Sequence, residues 1–217
     1  MVELVLKVLW LWGIELANSG IFNTNEILEL QQNRQFPVKG SYDLIQTQTI
    51  TNSQSTLVSR LQFSELQAEE YNTHLIHFTN VKVNDLLTSG YQLGFRALSD
   101  NSNAGGWRWG QRRYQNGGWS DQKSNSYSRC GLIWFSIDGD PNNSGNGYIY
   151  IHNAADESVY TSVSMHTIGW QYQNTVGYGY GSGTMPTANK VDAFEIANYS
   201  NTIGFSGAFS LYGLRDY

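Results

Sequence analysis

The chain has 217 residues, of which 40% are hydrophobic, 14% aromatic and 14% charged, with a formal net charge of −5 and one cysteine. An ordinary globular chain is about 25% charged, so this composition suits one β-rich domain with a polar but uncharged surface. It excludes a general phosphate-backbone binder, which needs a basic surface, and a disulfide-stapled scaffold, which needs paired cysteines.

The chain opens on MVELVLKVLWLW. Glu3 and Lys7 and the lack of a small-x-small site speak against a signal peptide, and the stretch is too short to span a bilayer. Strand alternation puts Leu4, Leu6, Val8, Trp10 and Trp12 on one face. These five are the candidate assembly interface, because so apolar a start needs a partner surface. Asn23 stands three residues before Glu26, a capping-box spacing, and predicts a short helix over residues 24–33. Pro37 and Gly40 close this segment. The expected organisation is an N-terminal docking arm over residues 1–40 and a β-domain over residues 41–217.

From Tyr42 the pattern is β throughout. Strands are expected over Gln46–Thr51, Ser55–Phe63, Tyr71–Val81 and Tyr91–Leu98. Others follow at 107–115, 127–137, 147–153, 158–168, 170–179, 189–197 and 205–214. About ten short strands with Asn/Ser/Gly/Asp turns predict an all-β fold, an antiparallel β-sandwich of jelly-roll type carrying a short strand-plus-helix arm. No repeat of solenoid or propeller period appears.

GGWRWGQRRYQNGGW, residues 105–119, concentrates aromatic and cationic side chains between glycine pairs. As a strand it sends Trp107, Trp109, Gln111 and Arg113 to one face, and Arg108, Arg112 and Tyr114 to the other. Three readings stand. Trp107 and Trp109 cap the sandwich core, or Trp107, Trp109, Arg112, Arg113, Tyr114 and Trp119 form a subunit contact, or these same six residues, with the tryptophans as the platform, stack on and bond a glycan. Tyr178 and Tyr180 share a face in a second Gly/Tyr segment with Trp170 nearby, a pattern that favours packing over a cleft.

Asp138, Asp140 and Asn142 open like a calcium loop. Asn143 stands where such a loop needs glycine, and Ile149 where it needs glutamate. An Asx-rich turn is the better reading, and no metal is assigned. Cys130, in the run CGLIWF, reads as a buried small hydrophobe. His74 and His77 point to opposite faces of one strand, and the four histidines show no metal spacing. Without a triad, P-loop or dinucleotide fingerprint, no catalytic residue and no cofactor is assigned.

The ending, Gly204 to Leu214, reads GFSGAFSLYGL. It resembles a recurring C-terminus of bacteriophage virion proteins, in which a small-Gly-x-Phe/Ile-x-Leu-Tyr-Gly strand closes a plain β-domain. Tyr71–Val81, Tyr91–Arg96 and Gly147–Asn153 are similar to strands of the same proteins, and the resemblance covers residues 42–217. It implies a non-enzymatic structural role in a tail fibre, baseplate or head decoration, in a virion assembled in the host cytoplasm. The partners expected are further copies of the chain, as a trimer or larger, and other virion proteins, with no nucleic acid and no membrane insertion. The alternative is a carbohydrate-binding receptor-recognition module at a fibre tip, with host surface glycans as partners. In the closing strand itself, Phe205, Gly207, Phe209 and Leu211 face one way and Ser206, Ala208, Ser210 and Tyr212 the other, and one side is a core face. Gly207 would make room for a large ring, and Gly213 would allow a bend.

Overall fold

The structure, a computed structural model, describes residues 42–51, 58–83, 91–98, 107–115, 117–127, 129–135, 144–171, 175–198 and 204–214. All of them lie in the second of the chain's two units, Gly40–Tyr217. The arm, with Leu4, Leu6, Val8, Trp10, Trp12 and the expected helix over 24–33, lies outside the described residues, as do Asp138, Asp140 and Asn142.

Twelve strands are described: β1 (Tyr42–Ile50), β2 (Arg60–Phe63), β3 (Thr73–Val83), β4 (Tyr91–Leu98), β5 (Trp107–Gln115), β6 (Gly118–Tyr127), β7 (Cys130–Phe135), β8 (Gly145–His152), β9 (Ser162–Gln171), β10 (Thr175–Thr184), β11 (Ala193–Asn198) and β12 (Phe205–Leu214). They form two antiparallel sheets of a sandwich. The larger runs β1-β12-β3-β8-β9-β10-β5-β6 and the smaller β2-β11-β4-β7. From β2 onward the chain passes back and forth between them. β2, β4, β7 and β11 belong to the small sheet, and the strands between belong to the large one.

Period-two alternation builds the core. Leu61 and Phe63 of β2, Phe95 of β4 and Phe194 and Ile196 of β11 face Ile76, Phe78, Ile149, Ile151, Val163, Met165, Phe209 and Leu211 of the large sheet in one buried cluster. Phe95 meets Trp107 edge-on across the layers, ring centroids 5.8 Å apart. Burying each such side chain contributes about 1.5–3 kcal/mol. On the other side of the small sheet Glu195 is buried as well. Arg96 clamps it with Nε 2.8 Å from Oε1 and Nη2 2.9 Å from Oε2, and Arg129 and Arg60 stand at 3.5 and 3.8 Å.

β12 alternates as expected, with Phe205, Phe209 and Leu211 inward. Its glycines exchange their expected roles. Gly213 lies in regular strand under the Tyr71 ring, which a Cβ there would strike. Gly207 has φ +150° at a register shift against β3, with Val81 rather than a ring beside it.

β6 has no counterpart among the expected strands, since GWSDQKSNSY lacks apolar alternation. Among the described strands it pairs only with β5, at the edge of the large sheet, so neither of its faces has to be apolar.

Candidate functional site

β5 separates its side chains by medium. Trp107, Trp109 and Gln111 point inward and are buried, with Trp107 0% and Trp109 8% exposed. Trp107 and Trp109 therefore leave the set of candidate contacts, because the sandwich core covers them. Arg113 leaves that set as well. Its side chain is half-buried on the inner side, and its Nε donates to Ser120 Oγ at 2.8 Å. Arg112, Tyr114 and Trp119 remain on the outer face of the large sheet.

Register brings further side chains to them. Tyr180 of β10 lies opposite Arg112 on one side and His166 of β9 on the other. Tyr148 of β8 lies opposite His166, and His77 of β3 opposite Tyr148. Asp121 of β6 faces Arg112, and Trp119 faces Tyr114. Tyr178, two residues before Tyr180, lies opposite Tyr114.

The rings touch in an unbroken series. Tyr114 stacks on Tyr178 with centroids 5.0 Å apart and planes 15° from parallel. Trp119 stands edge-on to Tyr114 at 5.6 Å and to Tyr178 at 5.2 Å, and reaches Tyr180 at 6.1 Å. Tyr180 meets His166 at 6.2 Å, and His166 stacks on Tyr148 at 5.2 Å. Tyr148 meets Tyr150 at 5.6 Å, and Tyr150 stacks on His152 at 6.2 Å. Trp119, Tyr178 and Tyr180 remain 45%, 39% and 46% exposed despite these contacts.

At Tyr150 the series is also tied to β1, by a hydrogen bond of 2.7 Å between the hydroxyls of Tyr150 and Tyr42. That bond, more than burial, pushes the Tyr150 phenol up to about 12. At the other end the Arg112 guanidinium lies 5.2 Å from the centroid of the Trp119 ring, and its Nε is 3.7 Å from Asp121 Oδ1.

Glycines thin the sheet beneath the rings. A Cβ on Gly183 would press on Cys130 Sγ at 2.9 Å and Trp109 Cβ at 3.0 Å, and one on Gly181 would press on Gln111. Tyr178, Tyr180 and Ser182 occupy the outward positions between these inward glycines. The Gly/Tyr segment expected to pack is thus half of the exposed face, while the side chain of Trp170 lies outside the described residues. Beside the rings lies an open trough of about 320 Å³. Gly110, Arg112, His166, Tyr180 and Ser182 line it, together with Gln111 and Gly181.

His166 and Tyr148 gave no signal of their own in the sequence. Alternation places each on an outward face, but strand order makes them neighbours. Elsewhere, Asp156 accepts hydrogen bonds from Ser158 Oγ at 2.6 Å and Ser158 N at 2.8 Å, which hold its carboxyl below the usual range. This is a turn built on an aspartate. Burial pushes the Cys130 thiol up and leaves it unreactive. Among the described residues no group of three or more His, Cys, Asp or Glu is placed to hold a metal ion. No family model, curated protein or solved structure matches the chain.

Proposed function

We propose that this chain is a non-enzymatic recognition protein, a jelly-roll domain that binds carbohydrate on the outer face of its eight-stranded sheet. The strand order supports the jelly-roll part. In a double Greek key of eight strands, one sheet runs 1-8-3-6 and the other 2-7-4-5. Counting β8–β10 as one three-stranded seventh element, β2 to β11 run in this order, with β12 and β1 added beside β3. Lectin and viral capsid domains both use this architecture.

The observation that carries the function is the ring series from Trp119 to His152, with Trp119, Tyr178, Tyr180 and His166 exposed and the others half-buried. A patch of this kind on a sheet face marks an interaction surface. Aromatic faces stack on the C–H faces of sugar rings. Ser164, Ser182, His166 and the tyrosine hydroxyls, on the same face, offer the mixed donors and acceptors that sugar hydroxyls require.

The test is glycan-array screening followed by titration of the best binder. Replacing Trp119→Ala and Tyr178→Ala together is expected to weaken binding by about tenfold or more, equivalent to about 1.4 kcal/mol or more. A wild-type chain that binds no glycan ends this reading.

A structural role in a phage virion is the second reading. The resemblance of residues 204–214, which include β12 between β1 and β3, favours it, and it is compatible with glycan binding at a fibre tip. Assembly through Leu4, Leu6, Val8, Trp10 and Trp12 predicts an oligomer, as a trimer or larger. Light scattering that gives the mass of one chain for the full-length protein would remove it.

A further inference from the structure

We infer that the carbohydrate taken by this face is acidic: an extended chain lying across the strands, with a carboxylate-bearing sugar seated over Gly110. The inference rests on the carbohydrate reading above and adds the chemical class of the sugar.

Gly110 is the first reason. It is an outward residue in the middle of β5, and its missing side chain opens the trough. Among the described residues nothing requires glycine there, because a Cβ would meet only the Gln122 carbonyl oxygen, at 3.9 Å. Glycine inside a strand costs about 0.5–1 kcal/mol relative to alanine, so this position gives up stability for open space. Gly181 and Gly183, one strand away, are different, since each makes room for a neighbour within the fold.

Charge is the second reason. The chain carries a net charge of −5, yet Gly110 stands between Arg108 and Arg112, with Lys123 directly opposite on β6. All three cations are exposed on the outer face. Asp121 is the one carboxylate among the described outward side chains of β5, β6, β8, β9 and β10. Its pairing with Arg112, at 3.7 Å with both side chains more than half exposed, is of the kind that adds little. A ligand carboxylate meeting a guanidinium fork at about 2.7–2.9 Å makes the stronger, two-pronged bond.

Length is the third reason. The face from Lys123 on β6 to Tyr150 on β8 crosses five strands. At about 4.8 Å per spacing that is about 19 Å. A pyranose in an extended chain advances by nearly the strand spacing, so a chain of four or five sugars can set one ring over each strand.

The experiment is calorimetric titration of the full chain with β-linked oligomannuronate and with β-linked oligomannose of the same length, which differ at the carboxylate. Oligomannuronate is expected to bind about tenfold or more tighter and to weaken as salt rises. Gly110→Val fills the trough and Arg112→Gln removes the fork. Each is expected to remove that preference while leaving the thermal midpoint within a few degrees of wild type. Equal binding of the two sugars, still lost in the Trp119→Ala and Tyr178→Ala double variant, overturns the acidic inference and leaves the carbohydrate reading standing. Binding of neither sugar, with oligodeoxythymidylate bound instead, overturns both. A sulfated glycan of equal length preferred over oligomannuronate overturns the carboxylate assignment.

Discussion

Trp107 packs edge-on against Phe95 at 5.8 Å with no surface in water, whereas Trp119, on the next strand, keeps nearly half of its surface exposed. The same residue type therefore does different work at the two positions. Trp107→Ala removes a ring from the junction of the two sheets and is expected to cost about 3–5 kcal/mol in urea unfolding. Trp119→Ala removes ring pairs and the Arg112 contact at the surface and is expected to cost about 0.5–1.5 kcal/mol, with its larger effect on the proposed glycan binding. The inward indole nitrogens of Trp107 and Trp109 have no hydrogen-bond partner among the described residues, which offsets part of what their burial gains. Alternation in WRWGQRRYQ was enough to separate the two faces of β5. It did not say which face was core, because tryptophan suits a sandwich interior and a ligand platform equally well.

At the level of elements, β3 and β11 meet through His74. Its Nε2 lies 2.8 Å from the Leu66 carbonyl oxygen, in the arrangement of a donor to an acceptor, and its ring stands edge-on to Phe194 at 5.2 Å. Burial between the sheets pushes its pKa below the ordinary 6.5, and the bond to Leu66 opposes this only in part. A histidine whose folded pKa is depressed contributes stability that is complete above its unfolded pKa and is lost as pH falls through the folded one. The chain is therefore expected to hold a constant urea midpoint above about pH 6.5 and to lose stability on acidification below it. His74→Gln is expected to flatten that slope. A wild-type midpoint unchanged down to the range where carboxylates titrate would contradict it. The strands β4, β5 and β12 are written in their own alternation, as is the inward turn of His74 against the outward turn of His77. β6 is not, since an edge strand wetted on both faces carries no periodic signal. In β10 the signal was present but misleading. Glycines alternating with tyrosines look like tight packing, and the glycines do pack, leaving the tyrosines to the solvent side.

On the scale of the whole molecule, strand order decides what the candidate site is. Arg112, Tyr180, His166, Tyr148 and His77 come from five strands spread over the chain. Each is an ordinary outward residue until the chain's passages between sheets set β5, β10, β9, β8 and β3 side by side. Local pattern cannot supply that order, because long-range pairing fixes it, and this is why Trp119 and Arg112 were visible early and His166 and Tyr148 were not. The same arrangement divides the labour of the large sheet. One surface holds the two layers together, and the other, among the described residues, carries ring pairs and hydrogen bonds only within its own sheet. Each ring on that second surface can therefore be exchanged singly for about 0.5–1.5 kcal/mol, a cost that leaves the packed layer beneath intact.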